Sequence, residues 1–192
     1  MTGIMTMALN LIIKPIRQWG RDVRGLAAME FAMVFPIMIV LLLGIIELGN
    51  GIQANQKVIA SSQIVADLLT RVEEVTDEQL EDAKSAGRLA LTPFDQDLVG
   101  FDIISVRYDA DGADDDAEPD PVIVWRDTTN MDPIANIPVN VQSLALAGDG
   151  VMLVYVRFPY EPPFGTRIVG NITMIENTFS RGRTVPVITR AN

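Results

Sequence analysis

The chain has 192 residues, a net charge of −10, and neither cysteine nor histidine. That composition excludes disulfide stapling, thiolate metal sites and any mechanism that uses histidine as a general base or metal ligand. An acidic chain also lacks the basic surface that phosphate binding needs, so nucleic acid is not an expected partner.

The charge is unevenly placed. Residues 1–25 carry Lys14, Arg17, Arg21 and Arg24 against Asp22, whereas residues 47–192 hold 11 basic and 23 acidic residues. Between them lies an apolar run from Leu26 to Ile46, broken once by Glu30. About 20 apolar residues in helical form cross roughly 30 Å of hydrocarbon, so residues 26–46 are expected to form a transmembrane helix. Lys and Arg beside such a segment stay on the cytoplasmic side. Residues 1–25 are then a basic cytoplasmic leader and residues 47–192 an extracytoplasmic head. A secretory signal peptide has an apolar core of only roughly 7–15 residues and a small-residue cleavage site, and no Ala-x-Ala closes this run before Glu47. The short apolar patch from Met7 to Ile13, stopped by Lys14-Pro15, reads as a surface-lying part of the leader.

The helical pattern continues past the membrane to about Val75, with Pro36 as its one proline. Val58, Val65, Leu68, Val72 and Val75, with Ala54 and Ser61 before them, follow a heptad seam that predicts the inner face of the helix. Thr76-Asp77-Glu78-Gln79 has the form of a capping box, which predicts a second, shorter helix over 77–91 ended by Thr92-Pro93. Strands are expected from Phe101 to Tyr108, Val122 to Arg126, Val151 to Phe158 and Arg167 to Ile175. Thr184 to Thr189, which contains Pro186, would be an edge strand at best. Residues 127–147, with Pro133 and Pro138, read as a surface loop. Strands joined by turns and preceded by helices predict an α+β fold, with the long N-terminal helix packed on a small antiparallel sheet within residues 101–190.

A basic flank, Gly25, four residues, Glu30-Phe31 and then an apolar run together resemble the cleavage site of type IV prepilins and pseudopilins. The segment from Gly25 through Leu26, Glu30 and Phe31 to Pro36 is similar to the opening of the TadE-like family of tight-adherence pilus assembly proteins. That resemblance implies a pilin-like architecture, cleavage after Gly25 by a prepilin peptidase, and Leu26 as the new N-terminus. It also implies an assembly role for Glu30 and Phe31, with the Glu30 carboxylate pairing with the freed amine of a neighbouring subunit. A buried ammonium and a buried carboxylate each need the other. The implied protein is a minor pseudopilin of the bacterial inner membrane, single-pass, with a periplasmic head, placed at the pilus base or tip. Its partners would be the peptidase, other pilins or pseudopilins, the tight-adherence machinery and the membrane. The alternative is an uncleaved, membrane-anchored protein similar to TadG-like components, with an envelope-binding or adhesive head.

Asp109, Asp111 and Glu118 raise a calcium reading, in which they would take positions 3, 5 and 12 of an EF-hand loop. Position 1 would be Arg107, which cannot coordinate, and the flanks read as strands, so a solvated acidic turn is the expectation and no metal is assigned. Asn171-Ile172-Thr173 matches a glycosylation acceptor, a pattern frequent by chance. Arg181 and Arg183 are expected to pair with the acidic surface. With no nucleophile elbow, phosphate loop, dinucleotide fingerprint or zinc site, the chain is expected not to be an enzyme and to need no cofactor.

Overall fold

A computed structural model describes residues 23–109, 120–136, 148–166 and 170–191. The expected leader up to residue 22, Asp111 and Glu118 of the acidic turn, and most of the expected 127–147 loop lie outside the described residues. The chain divides into two units, Met1–Ile46 and Glu47–Asn192.

The described part of the first unit is helix. It belongs to α1, Val23–Leu69, which contains Pro36. From Gly25 to Ile46 every residue is exposed except the half-buried Leu43. Gly25–Leu69 is long and apolar enough to cross a membrane, with a mean hydropathy of 2.6 over its most apolar window, and none of that window is buried. A soluble protein rarely leaves a contiguous apolar patch of this extent in water, so lipid or another apolar surface is the solvent this stretch is built for.

The second unit contains the rest of α1, then β1 (Glu74–Val75), α2 (Asp77–Ala90) and a 3₁₀ turn (Gln96–Leu98). It continues with β2 (Gly100–Asp109), β3 (Asp120–Thr129), β4 (Gly150–Tyr160), β5 (Ile172–Ser180) and β6 (Thr189–Arg190). Four strands form an antiparallel sheet in the order β3-β2-β4-β5. The fold is the expected α+β arrangement of a helix on an antiparallel sheet. Period-two alternation divides the sheet residues between its faces. Phe101, Ile103, Met152, Val154, Val156, Phe158 and Tyr160 join the core formed with α1 and α2. Ile104, Val106, Tyr108, Val151, Leu153 and Tyr155 form a second cluster on the opposite face, with Met131 and Ile134 packed against it.

On α1 the buried side chains are Ala54, Val58, Ser61, Ser62, Val65, Ala66 and Leu69. The heptad seam holds as far as Val65 and then fails, since Leu68 is exposed and Leu69 takes its place. A straight helix drifts by about 20° per heptad relative to a 3.5-residue repeat, so the buried face moves forward along the sequence. Small side chains at four of these seven positions permit close approach to the sheet, and Ser62 Oγ meets Thr178 Oγ1 of β5 at 2.7 Å.

The helix stops at Leu69 rather than near Val75. Thr70 Oγ1 donates to Ala66 O at 2.8 Å, and the carbonyls beyond the helix are taken by the C-terminal segment. Arg183 N donates to Thr70 O, Thr184 Oγ1 to Arg71 O, Thr189 N to Glu73 O and Ala191 N to Val75 O. Orphan carbonyls at a helix end need such partners. These come from more than 110 positions away in the chain, so no local pattern announces them. β6 pairs with β1 in parallel, outside the main sheet and later than the expected 184–189 strand.

The Thr76 capping box forms as expected, Thr76 Oγ1 accepting from Gln79 N and Gln79 Oε1 accepting from Thr76 N. The fourth strand of the sheet runs from Ile172 to Ser180, past the expected end at Ile175; the expected start at Arg167 lies outside the described residues, and Gly170, at φ 75°, takes a left-handed conformation that a strand cannot include. β3 runs on to Thr129, three residues into the expected loop.

Gly87 marks the tightest contact of α2. A Cβ there would stand 2.7 Å from Val65 Cγ2 and 3.1 Å from the Phe101 ring. Removing a helical glycine gains up to about 1 kcal/mol, but overpacking a filled core typically costs about 1–3 kcal/mol, and the stiff Val65 side chain cannot swing away. Gly87→Ala is therefore expected to lower the melting temperature of the detergent-solubilised chain, and an unchanged or higher value would contradict this packing.

Candidate functional site

All four residues singled out at the N-terminal motif lie in the first turns of α1. Gly25 is exposed and a Cβ there would meet nothing within 4 Å. Leu26 and Phe31 are exposed at 53% and 59%, and Glu30 is exposed as well. The Gly25–Leu26 bond lies in helical backbone. Leu26 and Glu30 are four apart and so share a face, with the Glu30 side chain directed back over the turn that starts at Leu26. Phe31 and Phe35, also four apart, place their ring centroids 5.3 Å from each other on a neighbouring face. The motif therefore presents one acid and a pair of aromatic rings on an otherwise aliphatic rod.

Of the three acids of the calcium reading, Asp109 alone lies among the described residues. Asp109 ends β2 opposite Asp120 of β3, while Asp111 and Glu118 lie outside the described residues. Among the described residues no group of three or more His, Cys, Asp and Glu could hold a metal ion. Arg181 lies 3.4 Å from Asp149, and Arg183 pairs with Asp67, so both arginines meet acids of the head surface as expected. Asp67 also binds Arg71, and the two guanidiniums hold its carboxyl below the usual range, the Arg71 hydrogen bond first.

Three polar clusters of the head were not legible in the sequence. The first is Asp102, fully buried on the second face of the sheet. It accepts from Arg126 Nε at 2.8 Å, Thr128 Oγ1 at 2.9 Å and Ile134 N at 2.9 Å, and pairs with the Arg126 guanidinium. Burial works to raise its pKa, but the bonds from Arg126, Ile134 and Thr128 outweigh this and hold the carboxyl below the ordinary value. The second is Lys84 of α2, 2% exposed, whose ammonium meets Asp127 at 2.9 Å and Glu81 at 2.5 Å. The third is Glu47, the first residue past the apolar run. Its Oε1 accepts the backbone N–H of Phe164 and, at 2.6 Å, that of Gly165, while its Oε2 is buried without a partner. Nothing local singles out Asp102 or Glu47, whose partners arrive only through strand register or a loop closure, and Lys84, although Glu81 lies three residues away on the same helix, meets Asp127 of β3 only in the folded head.

A groove of about 420 Å³ lies beside the Glu47-held loop, with Asn50, Gln53, Phe94, Leu98, Tyr160 and Pro163 in its wall. Burial, and then the charge of Glu47, push the Tyr160 hydroxyl up in pKa, which keeps it neutral. The groove carries no nucleophile paired with a base.

Residues 25–67 match the family model described as TadE-like protein. The match opens at Gly25, takes in Leu26, Glu30 and Phe31, and ends two residues before the end of α1. No curated protein and no solved structure matches the chain.

Proposed function

We propose, from the TadE-like segment at residues 25–67, that this chain is a minor pseudopilin of a tight-adherence pilus, cut after Gly25 by a prepilin peptidase. The family match links the chain to tight-adherence pilus assembly, and α1 supplies a helix able to anchor it in a membrane. The observation that carries the finer reading is the coincidence of Gly25, Glu30 and an exposed apolar helix at the start of the matched stretch. On this reading Leu26 becomes the mature N-terminus, and the new ammonium at the helix N-terminus is an added positive charge on a positive dipole end. Glu30 of a neighbouring subunit neutralises it when helices bundle, and Phe31 packs beside the pair. The protein performs no chemistry of its own. It acts by assembly, held in the inner membrane with residues 1–25 cytoplasmic and the head periplasmic.

N-terminal sequencing of the membrane-extracted protein, from cells with and without the prepilin peptidase, tests this. A start at Leu26 only when the peptidase is present is the expected result. An uncut N-terminus in both samples would overturn it and favour the permanently anchored, TadG-like alternative.

A further inference from the structure

Just past the apolar run, the head carries an aromatic loop tip that the proposed pseudopilin function does not use. Glu47 follows Ile46 directly, so its place along α1 is within one turn, about 5.4 Å, of the end of the apolar run. Its carboxylate takes the backbone N–H groups of Phe164 and Gly165 and so fixes the turn from Pro163 to Gly165 beside Glu47. The same turn is closed from within, Thr166 Oγ1 donating to Pro162 O and Gly170 N to Thr166 O at 3.0 Å. Phe164 is thus held on a hydrogen-bonded turn, yet 61% of it is exposed and no aromatic ring among the described residues stacks on it. Leu98, 40% exposed, and Pro163 border the groove at the same end of the sheet. Constraining an aromatic side chain by a carboxylate only to leave it in water gains no core burial. It does suit the interface of a bilayer, where aromatic rings are favoured at headgroup depth.

We infer that the Pro163–Phe164–Gly165 turn is a membrane-interface anchor, with the Phe164 ring seated among lipid headgroups and acyl-chain ends. Asp95 and Glu161, which line the same groove as Pro163, make anionic headgroups an unfavourable partner, so the attraction is apolar and the surface it fits is zwitterionic. Charge-assisted hydrogen bonds strengthen as water is excluded, so contact with the interface tightens the Glu47 latch. The inference rests on α1 crossing the membrane, as the proposed function requires.

The absence of native cysteine makes a single nitroxide label clean. The full chain carrying Phe164→Cys would be labelled, reconstituted in phosphatidylcholine vesicles, and read by collision with oxygen, which concentrates in lipid, and with a water-soluble nickel chelate. Val40→Cys, within the apolar run, and Ile123→Cys report lipid and water. Ile123 is 47% exposed and pairs with Val106, opposite Val151, roughly 30 Å along β4 from Tyr160. The expected oxygen-to-nickel ratio at 164 lies several-fold above that at 123 and below that at 40, and adding Glu47→Gln lowers it while raising label mobility. A ratio at 164 equal to that at 123, with 40 still in lipid, overturns the anchor and leaves the transmembrane reading standing. Water exposure at all three positions overturns both.

Discussion

Asp102→Ala is expected to cost the head about 3–5 kcal/mol, the usual consequence of leaving one member of a buried ion pair without its partner. Whole domains are stable by only about 5–15 kcal/mol, so this single change would bring the head close to unfolding at physiological temperature. Among the described residues Arg126 would keep the Ile134 carbonyl alone, at 2.9 Å, and the Thr128 hydroxyl and Ile134 N–H would lose their acceptor. The dependence on pH follows from the depressed pKa of Asp102. A group whose folded pKa lies below its unfolded value, about 3.9 for aspartate, stabilises fully above that unfolded value. Its contribution is lost as pH falls through the folded pKa. Urea midpoints of the detergent-solubilised chain should therefore be flat near neutrality with respect to this group and fall below about pH 4, and Asp102→Ala should flatten the acid limb. Replacing the pair together, Asp102→Leu with Arg126→Met, is expected to recover most of the loss, because apolar isosteres of a buried pair are often neutral or better. Equal damage from the single and double variants would mean that the site stabilises by shape rather than by charge.

The same residue shows where the sequence stops being informative. The run from Phe101 to Tyr108 announces a strand through its β-branched and aromatic residues, and Asp102 reads there as one more acid among 23 in the head. Its role appears only when β2 pairs with β3 and sets Asp102 opposite Thr128, with Arg126 two pairs along the ladder. Local signals carried well wherever the physics was local. The capping box at Thr76 and Gln79, the helix period through Val65, and the strongest strand around Val151 to Phe158 all stand where short-range pattern puts them. Expectations failed where a distant segment decided the outcome. α1 ends early because residues 183–191 capture the carbonyls from Thr70 to Val75, and the last short strand leaves the main sheet to pair with β1. At the N-terminal motif the proposed site residues Gly25, Leu26, Glu30 and Phe31 could be singled out from the sequence because their spacing along one helix is itself the geometry, and all four fall within the matched residues 25–67. The loop held by Glu47 was not, because it depends on a contact across 117 positions.

Glu30→Leu is expected to have opposite effects on the two stages of the protein's life. Insertion of the single helix should improve, since a carboxylate at the centre of a membrane helix costs roughly 2.5–3.5 kcal/mol and less near the interface. Glu30 lies four residues from the start of the run at Leu26, so the gain should be at the low end. Association of processed subunits should fall, because each Leu26 ammonium would enter a low-dielectric helix bundle with no carboxylate to meet it. Breaking a buried pair costs about 3–5 kcal/mol, which is roughly two to three and a half powers of ten in an association constant at about 1.4 kcal/mol each. The decisive comparison is between the chain cut in vitro after Gly25 and the uncut chain, both reconstituted in vesicles and assayed for self-association by energy transfer. Only the cut chain has an ammonium for Glu30 to neutralise. Glu30→Leu should weaken association of the cut form by at least about tenfold, and leave the uncut form unchanged or slightly tighter. An equal loss in both forms would show that Glu30 binds something other than the new N-terminus, and the pairing assigned to it would have to be abandoned.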